Sequence, residues 1–171
     1  MLNEILTNDV KSEDKFLRRK TVDFDFKKFT KKEIAELIGR MRRIMHRANG
    51  VGLSANQIGL DFKMFIVEVP DAQGGTKFYA VFNPKLEIVG DETAVYEEGC
   101  LSIPNQWGDV ERASKVVISG LDRHGKPAKI KAWGLLARVF QHEVDHLNGK
   151  LFIDRAKNVY VAKSENASER V

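Results

Sequence analysis

The sequence predicts a single α+β domain, with mainly antiparallel sheets arranged around a central helix. Apolar residues recur at helical spacing in two segments, residues 31–47 and 135–147. The strand-like stretches lie together between these segments instead of alternating with helices, and that order is typical of α+β folds. The chain has 171 residues without repeats or Pro/Gly-rich linkers. We therefore expect one domain over residues 1–171, in which residues 156–171 form a polar tail.

The first predicted helix has a clear start and a clear end. After a mostly irregular segment, residues 1–29, Thr30 and Glu33 have the spacing of a capping box, in which each side chain satisfies a free backbone N–H. An Asn-Gly pair at residues 49–50 is typical of a helix end. We therefore predict an amphipathic helix over residues 31–47.

The strands are predicted from runs of β-branched and aromatic residues that are bounded by turn residues. They cover residues 63–69, 78–82, 85–89, 93–97, 110–112, 115–121 and 128–132. The sequence Asp-Arg-His-Gly separates the last two strands, which predicts a hairpin.

The second predicted helix follows Gly134. Its apolar residues at helical spacing are Leu135, Leu136, Val139, Phe140 and Leu147. An Asn-Gly pair at residues 148–149 closes this helix, and only residues 159–161 look strand-like in the segment that follows.

The composition excludes several classes of protein. A hydrophobic fraction of 43% and a charged fraction of 30% fit a soluble globular protein, and no apolar run approaches the roughly 20 residues of a membrane span. Residues 1–20 are polar and of mixed charge, unlike a signal or transit peptide. The lone cysteine excludes an intramolecular disulfide and suits a reducing compartment. We therefore expect a cytoplasmic protein.

The formal net charge of +4 is modest, and its lysines and arginines cluster partly at residues 18–20 and 27–32. Such runs are usually solvated faces. The functional alternative is a weak attraction to an RNA-rich surface such as a ribosome. No RNA-binding motif supports that alternative further.

The second helix contains the pattern HEVDH. His142 and His146 lie one turn apart on one helix face, so both rings can reach one metal ion. Glu143 is offset by one residue and can act on water without binding the metal. The alternative is a hydrogen-bonded histidine pair on a partly wet face. However, two histidines and two carboxylates in an apolar helix are costly without partners.

A catalytic metal site of this kind needs a third protein ligand and an open position. The metzincin pattern would place it six residues after the second histidine, where this chain has Phe152. A thermolysin-like glutamate on a later helix is disfavoured because the remaining residues lack helical periodicity. The third ligand is therefore expected upstream, where Cys100 follows a predicted strand and Gly99 allows close backbone approach. A thiolate with two imidazoles suits Fe(II), Zn, Co or Ni.

A glycine-rich segment at residues 50–59 precedes the first strand. It lacks the Lys and Ser/Thr of a P-loop and the strand-first context of a Rossmann turn. Gln57 offers a neutral amide donor. The alternative for this segment is a plain tight loop.

Together, three segments resemble the motifs of the peptide deformylase family, GxGLAAxQ, EGCLS and QHExDHLxG. The chain has GVGLSANQ at residues 50–57, EGCLS at 98–102 and QHEVDHLNG at 141–149, in the same order. The resemblance runs from about residue 16 to residue 154, and it is far more specific than HExxH alone. It implies a metal-dependent hydrolase that removes the N-formyl group from the N-terminal formylmethionine of nascent polypeptides and releases formate.

The resemblance also implies a role for particular residues. Glu143 would be the general acid/base, and Gln57 and the backbone N–H of Leu101 would stabilise the developing oxyanion. Fe2+ is the usual ion of the family, with Zn2+, Ni2+ or Co2+ as substitutes. The implied metal ligands are Cys100, His142 and His146. The substrate site would include Gly52, Gly99, Glu98, Trp107, Arg138 and Val139.

Some residues depart from the family pattern. Ser54 replaces the second small residue, Ala, of the first motif, which is a mild change provided that its hydroxyl finds a partner. Trp107 stands where bacterial members often have Arg, and Arg138 replaces a typically aliphatic residue, so both are expected to reshape the methionine pocket or its rim. The tail lacks the long C-terminal helix of many bacterial relatives, which speaks against ribosome docking through such a helix.

Two rival functions remain at this point. The first is a metallopeptidase that uses the same helix, which the upstream cysteine and the three motifs disfavour. The second is a metal-storing or metal-binding module without turnover, which would need neither Glu143 nor Gln57. For the leading function we expect a formylmethionyl peptide substrate, a monomer, no membrane contact, no sequence-specific nucleic-acid binding and at most transient ribosome association.

Overall fold

Helix α3 (Gly134–Leu147) contacts strands of both β-sheets of the molecule and carries the HEVDH pattern. The computed structural model describes residues 4–161. Two other α-helices lie in this part of the chain, α1 (Lys11–Leu17) and α2 (Lys31–Arg47). The strands are β1 (Gly52–Ser54), β2 (Met64–Pro70), β3 (Thr76–Ile88), β4 (Thr93–Cys100), β5 (Ile103–Ala113), β6 (Lys115–Leu121), β7 (Pro127–Trp133) and β8 (Val159–Val161).

The strands form two antiparallel sheets. The five-stranded sheet has the order β1-β2-β3-β6-β7, and the three-stranded sheet has the order β4-β5-β8. All strand pairs within the sheets are antiparallel, and one isolated parallel bridge joins Val22 to Phe62. The predicted α+β class with mainly antiparallel pairing is therefore confirmed.

Helix α2 packs its apolar face against the five-stranded sheet. The capping box of Thr30 and Glu33 is present, with the Glu33 backbone N–H donating to Thr30 Oγ1 at 3.2 Å. The helix begins and ends where the sequence predicts. Asn49 follows it in the left-handed region, with φ of 54°. The Gly50 N–H then donates to the carbonyl of Met45 at 2.9 Å, so a helix carbonyl is satisfied as the chain turns toward β1.

The apolar face of α3 packs against the opposite face of the same sheet, because successive residues of β2 alternate between the cluster of α2 and that of α3. Phe140, Val139 and Leu147 join a buried cluster that includes Phe65 and Ile118. Phe140 and Leu147 lie on the side of the helix away from the histidines and fix it to the sheet, while Val139 borders the histidine face, which lies toward the end of β4.

Two local predictions were wrong, and one helix was not predicted. Residues 4–29 are mostly irregular, as expected, but they include helix α1, which the sequence hides because Val10 at its N-cap makes no side-chain capping bond and Leu17 is its one buried residue. The glycine-rich segment includes strand β1, which is too short for an alternating pattern to be recognised. The two predicted strands at residues 78–82 and 85–89 are one strand, β3, which ends at Ile88. Its pairing shifts register after Phe82, where Asn83 has a positive φ.

The remaining elements agree with the sequence. The strand β6 has the predicted bounds, β2 is shifted by one residue, and β4 and β7 are longer than predicted by one to three residues at an end. The strand β5 is much longer than the predicted residues 110–112, since it begins at Ile103. The β6–β7 hairpin is closed by the Asp122 N–H donating to the Lys126 carbonyl at 2.8 Å. The strand-like residues 159–161 form β8 on the edge of the smaller sheet. The rest of the expected polar tail, residues 162–171, lies outside the described residues. No helix among residues 4–161 has both the length and the apolar character to cross a membrane.

Candidate active site

Cys100, His142 and His146 bring their side chains together between the smaller sheet and α3. Each offers one ligand atom, and these atoms lie within 4.8 Å of one another. Cys100 Sγ is 3.2 Å from His146 Nε2, which is itself 3.2 Å from His142 Nε2. The i, i+4 spacing on α3 places the two rings side by side, and the third donor comes from the end of β4.

The thiol of Cys100 is aimed at the histidines by a break in the β4–β5 pairing. The register shifts between Gly99 and Cys100, and Cys100 pairs with Ile103 across a tight turn. Two donors point at the sulfur: the Ser102 backbone N–H at 3.4 Å and Gln57 Nε2 at 3.7 Å. These two hydrogen bonds hold the sulfur in place beside the two imidazoles.

The surroundings of the two imidazoles differ. Burial lowers the pKa of His146 well below its usual value, which favours the neutral form that binds metal. Burial also opposes a charge on His142, but hydrogen bonds with Cys100 and Glu98 outweigh it and raise the pKa of His142 to about 10. Cys100 and Glu98 stabilise positive charge at His142, whether that charge belongs to a proton or to a bound metal cation.

Behind His142 lies a buried ionic network centred on Glu98 and Arg112. Glu98 Oε2 is 3.0 Å from His142 Nδ1, and Arg112 donates to both oxygens of Glu98, at 2.7 and 2.9 Å. Burial would raise the pKa of Glu98, but its bonds with Arg112 and His142 hold it well below the usual range. Arg112 also donates to Asp145 at 2.6 Å, and Arg155 makes two bonds to the same carboxylate.

Arg138 joins this network from the cavity side. Its Nη1 donates to Glu98 Oε1 at 2.7 Å and to the Val110 carbonyl at 2.9 Å, and its Nη2 donates to the Ala94 carbonyl at 2.7 Å. Its guanidinium carbon lies 5.0 Å from the centre of the Tyr96 ring. The charged end of Arg138 is therefore occupied by protein partners, and the residue forms part of the cavity wall.

Glu143 is 3% exposed and lies against β1. Ser54 Oγ is 2.7 Å from Glu143 Oε2 and 3.0 Å from the Glu143 carbonyl. Gly52 approaches so closely that a Cβ there would be 2.3 Å from Glu143 Oε1. Burial raises the pKa of Glu143, while the positive charge of His142 and the Ser54 hydrogen bond act in the opposite direction. A raised pKa suits a carboxylate that must both take and return a proton.

Gln57 is held so that its amide donor faces Cys100. Its Oε1 accepts from the Ser54 backbone N–H at 2.8 Å, and its Nε2 donates to Ser102 Oγ at 3.1 Å. Leu101 also lines the cavity, and its Cδ1 would be 2.7 Å from a Cβ added at Gly50. The arrangement combines a candidate metal site, a buried base and an amide donor, which are the parts that amide hydrolysis requires.

The cavity beside these groups has a volume of about 510 Å³. Its walls include the remaining residues that the sequence placed at a substrate site: Gly52, Glu98, Gly99, Trp107, Arg138 and Val139. The Trp107 ring covers Gly99, since a Cβ at Gly99 would be 2.9 Å from it. The opening is flanked by Trp107 and Leu135, which are 40% and 53% exposed.

Sequence reasoning singled out neither Arg112 nor Ser102 as part of the site. Arg112 is 4% exposed, and an arginine two residues after Val110 on a predicted strand could have indicated a buried charge. Ser102 belongs to the EGCLS motif, but the motif does not indicate its contact with Gln57. The partner of the Ser54 hydroxyl could not be found either, because Glu143 lies 89 residues away along the chain.

Known proteins share much of this sequence. A family model described as polypeptide deformylase matches residues 7–161. A peptide deformylase of Halothermothrix orenii is 46% identical over 130 residues, which cover 76% of this chain and 81% of the relative. One of Pelotomaculum thermopropionicum is 47% identical over 127 residues, covering 74% and 77%.

Solved structures show the same fold. A probable peptide deformylase from a Synechococcus phage superposes with a TM-score of 0.78 at 36% identity, covering 88% of this chain and 97% of that protein. A Synechococcus elongatus peptide deformylase solved in complex with actinonin has a TM-score of 0.78 at 34% identity, covering 90% and 78%.

Proposed function

The chain belongs to the peptide deformylase family, and from that premise we propose how its own residues perform the reaction. The protein is a hydrolase that removes the N-formyl group from the formylmethionine of nascent polypeptides. Water adds to the formyl carbon, the C–N bond breaks, and formate and a free amine are released. The observation that carries the residue assignments is the meeting of Cys100, His142 and His146 beside Glu143 in one cavity.

We propose that Cys100, His142 and His146 hold one metal ion. Four tetrahedral ligands at the usual bond lengths lie about 3.3–3.6 Å from one another, and the two 3.2 Å separations between the donor atoms are close to that range. The thiolate and two imidazoles suit Fe(II), which we propose as the native ion, with Zn2+, Ni2+ or Co2+ as substitutes. When bound, the metal supplies Lewis-acid activation of water near neutral pH.

Glu143 is proposed as the general acid/base. It lies next to His142 on α3, and its side chain lines the cavity. Its carboxylate takes the proton of the attacking water and later delivers it to the nitrogen of the leaving amine, so the proton balance closes within the site. The burial that raises its pKa makes the carboxylate a stronger base toward the attacking water.

The developing oxyanion is proposed to be stabilised by Gln57 and by the backbone N–H of Leu101. The bond from the Ser54 N–H to Gln57 Oε1 fixes which end of the amide faces Cys100. A donor that is oriented before the reaction needs no reorganisation during it, and removing one such donor typically costs about 10²–10³ in rate.

Substrate binding is proposed to use backbone and side chains of the cavity. Gly52 and Gly99 would present their backbone to an extended peptide. Glu98, Trp107, Arg138 and Val139 would contact or shape the pocket for methionine. Because a formyl carbon carries only hydrogen besides its oxygen and nitrogen, a tight site excludes bulkier acyl groups.

We further propose that the protein acts in the cytoplasm as a monomer. Its substrates are nascent chains, so transient association with ribosomes is expected, and the modest net charge of +4 is compatible with it. We propose neither membrane contact nor sequence-specific nucleic-acid binding.

The test is anaerobic purification followed by metal analysis and a formate-release assay on one sample. We expect about one metal ion per chain and formate release from a formyl-Met peptide, but no cleavage of the same peptide at an internal bond. Internal cleavage would favour a metallopeptidase. Metal binding without formate release would favour a non-catalytic binding module and would overturn the proposal.

A further inference from the structure

Ser54 departs from the family pattern at a position that touches the proposed base. Its side chain is 0% exposed, and its hydroxyl lies 2.7 Å from Glu143 Oε2. We propose that Ser54 is a positioning residue, whose hydroxyl holds Oε2 of Glu143 so that Oε1 is presented to the reacting water. This inference rests on the proposed function, because it assigns Glu143 the role of base.

The strand β1 contacts both oxygens of the Glu143 carboxylate. Gly52 and Ser54 are two residues apart, so they face the same side of the strand. Gly52 lies against Oε1, where even a Cβ would not fit, and Ser54 donates to Oε2. Among the described residues 4–161, no donor other than Ser54 forms a hydrogen bond with this carboxylate. Oε1 is therefore the oxygen that is free to accept a proton.

The strand is itself well fixed. Ser54 pairs with Phe65 and Gly52 pairs with Val67 on β2, and Leu53 between them is 0% exposed. A hydroxyl carried by a paired, buried strand has little freedom, so its bond limits the rotation of the Glu143 side chain. Preorganisation of a reacting group in this way lowers the reorganisation needed in the transition state.

Ser54 also connects the two proposed catalytic side chains. Its backbone N–H orients Gln57, while its side chain holds Glu143. The two contacts use different parts of the residue. Replacing Ser54 by alanine therefore removes the contact to the base and keeps the contact to the proposed oxyanion donor.

A purely structural role predicts a different result. Ser54 Oγ is also 3.0 Å from the Glu143 carbonyl, so the hydroxyl could serve only to satisfy the backbone of α3. Thr21 provides the matched control for that role. It is 5% exposed, and its hydroxyl donates to the Leu147 carbonyl of the same helix at 3.0 Å, without contacting Glu143.

The experiment compares metal-loaded wild type, Ser54→Ala, Ser54→Thr and Thr21→Ala. Steady-state kcat and KM on a formyl-Met peptide, metal content and the midpoint of thermal unfolding are measured. The alanine variant is expected to fold, because Ala is the residue of the family pattern at this position. We expect its kcat to fall about tenfold, with KM within about twofold of wild type and unchanged metal content.

The other two variants separate positioning from packing. Thr21→Ala should lower the unfolding midpoint and leave kcat unchanged, and Ser54→Thr, which retains a hydroxyl, should recover most of the lost kcat. A Ser54→Ala enzyme with wild-type kcat would overturn the inference while leaving the proposed function intact. A parallel loss of metal and kcat in Ser54→Ala would also overturn it. A wild type that releases no formate would overturn both.

Discussion

Oε2 of Glu98 lies 3.0 Å from Nδ1 of His142, while Nε2 of the same ring faces His146 at 3.2 Å. The carboxylate therefore contacts the ring nitrogen that does not face the other donors, and it fixes which nitrogen carries the proton when Nε2 binds a metal. Arg112, which is 4% exposed, holds the carboxylate with two hydrogen bonds.

We predict that Glu98→Gln weakens metal binding by about 10- to 100-fold. An amide offers one acceptor oxygen in place of two, so it cannot serve both His142 and Arg112, and it leaves a buried arginine partly unpaired. The measurement is anaerobic competition between the protein and a chromogenic chelator. Glu111→Gln, which removes an exposed partner of Lys157, is the control and should bind metal like wild type. Wild-type affinity in Glu98→Gln would contradict the prediction.

We predict that Gly52→Ala lowers kcat/KM by about 100-fold or more, because displacing a reacting group by about 1 Å can cost that much. The added Cβ would lie 2.3 Å from Glu143 Oε1 and 2.9 Å from Val139 Cγ1, so the carboxylate must move. Formate release by purified, metal-loaded variant measures the loss.

Gly39→Ala is the matched control for that substitution. Gly39 lies inside α2, where the nearest atom to an added Cβ is Arg43 Nη1 at 3.4 Å. We expect full activity and a gain of about 1 kcal/mol in the free energy of unfolding, since alanine favours helices over glycine. If Gly52→Ala retained full activity, the close approach of Gly52 to Glu143 would have no catalytic importance.

The sequence predicted the elements whose signals are local. The ends of α2 follow from Thr30, Glu33 and Gly50, and the spacing of His142 and His146 follows from the helical period. Helix α1 and strand β1 escaped prediction because they are short and are stabilised by contacts with distant segments. Leu17 of α1, for example, packs in a buried cluster with Ile103 and Phe152.

The chemistry of the site was predictable in type but not in its connections. The motifs named the three donors and Glu143, because each residue type reflects the chemistry it can perform. The partners of Ser54, Arg112 and Arg138 depend on the packing of α3 against β1 and β5. Contacts over such sequence separations cannot be inferred from a single sequence, because periodicity fixes which face a residue occupies but not which segment lies opposite.

We predict that Arg138→Ile changes the preference for the first substrate side chain by about fivefold or more, since small changes in an apolar pocket have effects of this size. The isoleucine removes the bonds to Glu98 and to the Ala94 carbonyl and leaves a shorter, branched side chain in the cavity wall. The ratio of kcat/KM values for peptides that begin with formyl-Met and formyl-Phe measures the change. Arg40→Ile, on the exposed side of α2, is the control. An unchanged ratio in Arg138→Ile would show that this residue does not shape the pocket.

We predict that removing the metal abolishes formate release and lowers the thermal unfolding midpoint, because two buried imidazoles and a thiol lose their common partner. Reloading with Co2+ or Ni2+ should restore activity. An Fe(II)-loaded sample should lose activity in air faster than a Zn2+-loaded one, since an oxidisable metal and thiolate lie together. Full activity after exhaustive chelation, checked by metal analysis, would contradict this prediction.

We predict that the stability of the fold in acid depends on Glu68. The hydrogen bonds from Arg42, at 2.7 and 2.6 Å, are the main cause that lowers the pKa of Glu68 to about 2, and His46 and Thr76 add to this effect against a partial opposition by burial. A carboxylate whose pKa is lower in the folded state than in the unfolded one stabilises the fold above its unfolded pKa. That contribution is lost as the pH falls from about 4.5 toward 2.

Because Arg42 is half-exposed, the contribution is about 1 kcal/mol after screening by solvent. The free energies of unfolding of wild type and Glu68→Gln, measured by chemical denaturation, should therefore differ by about this amount at pH 6. The difference should be smaller at pH 3. Glu36→Gln, which removes an exposed i, i+4 pair with Lys32, should show little difference at either pH. If this difference in unfolding free energy were the same at pH 6 and pH 3, the ion pair between Arg42 of α2 and Glu68 of β2 would not be a source of acid sensitivity.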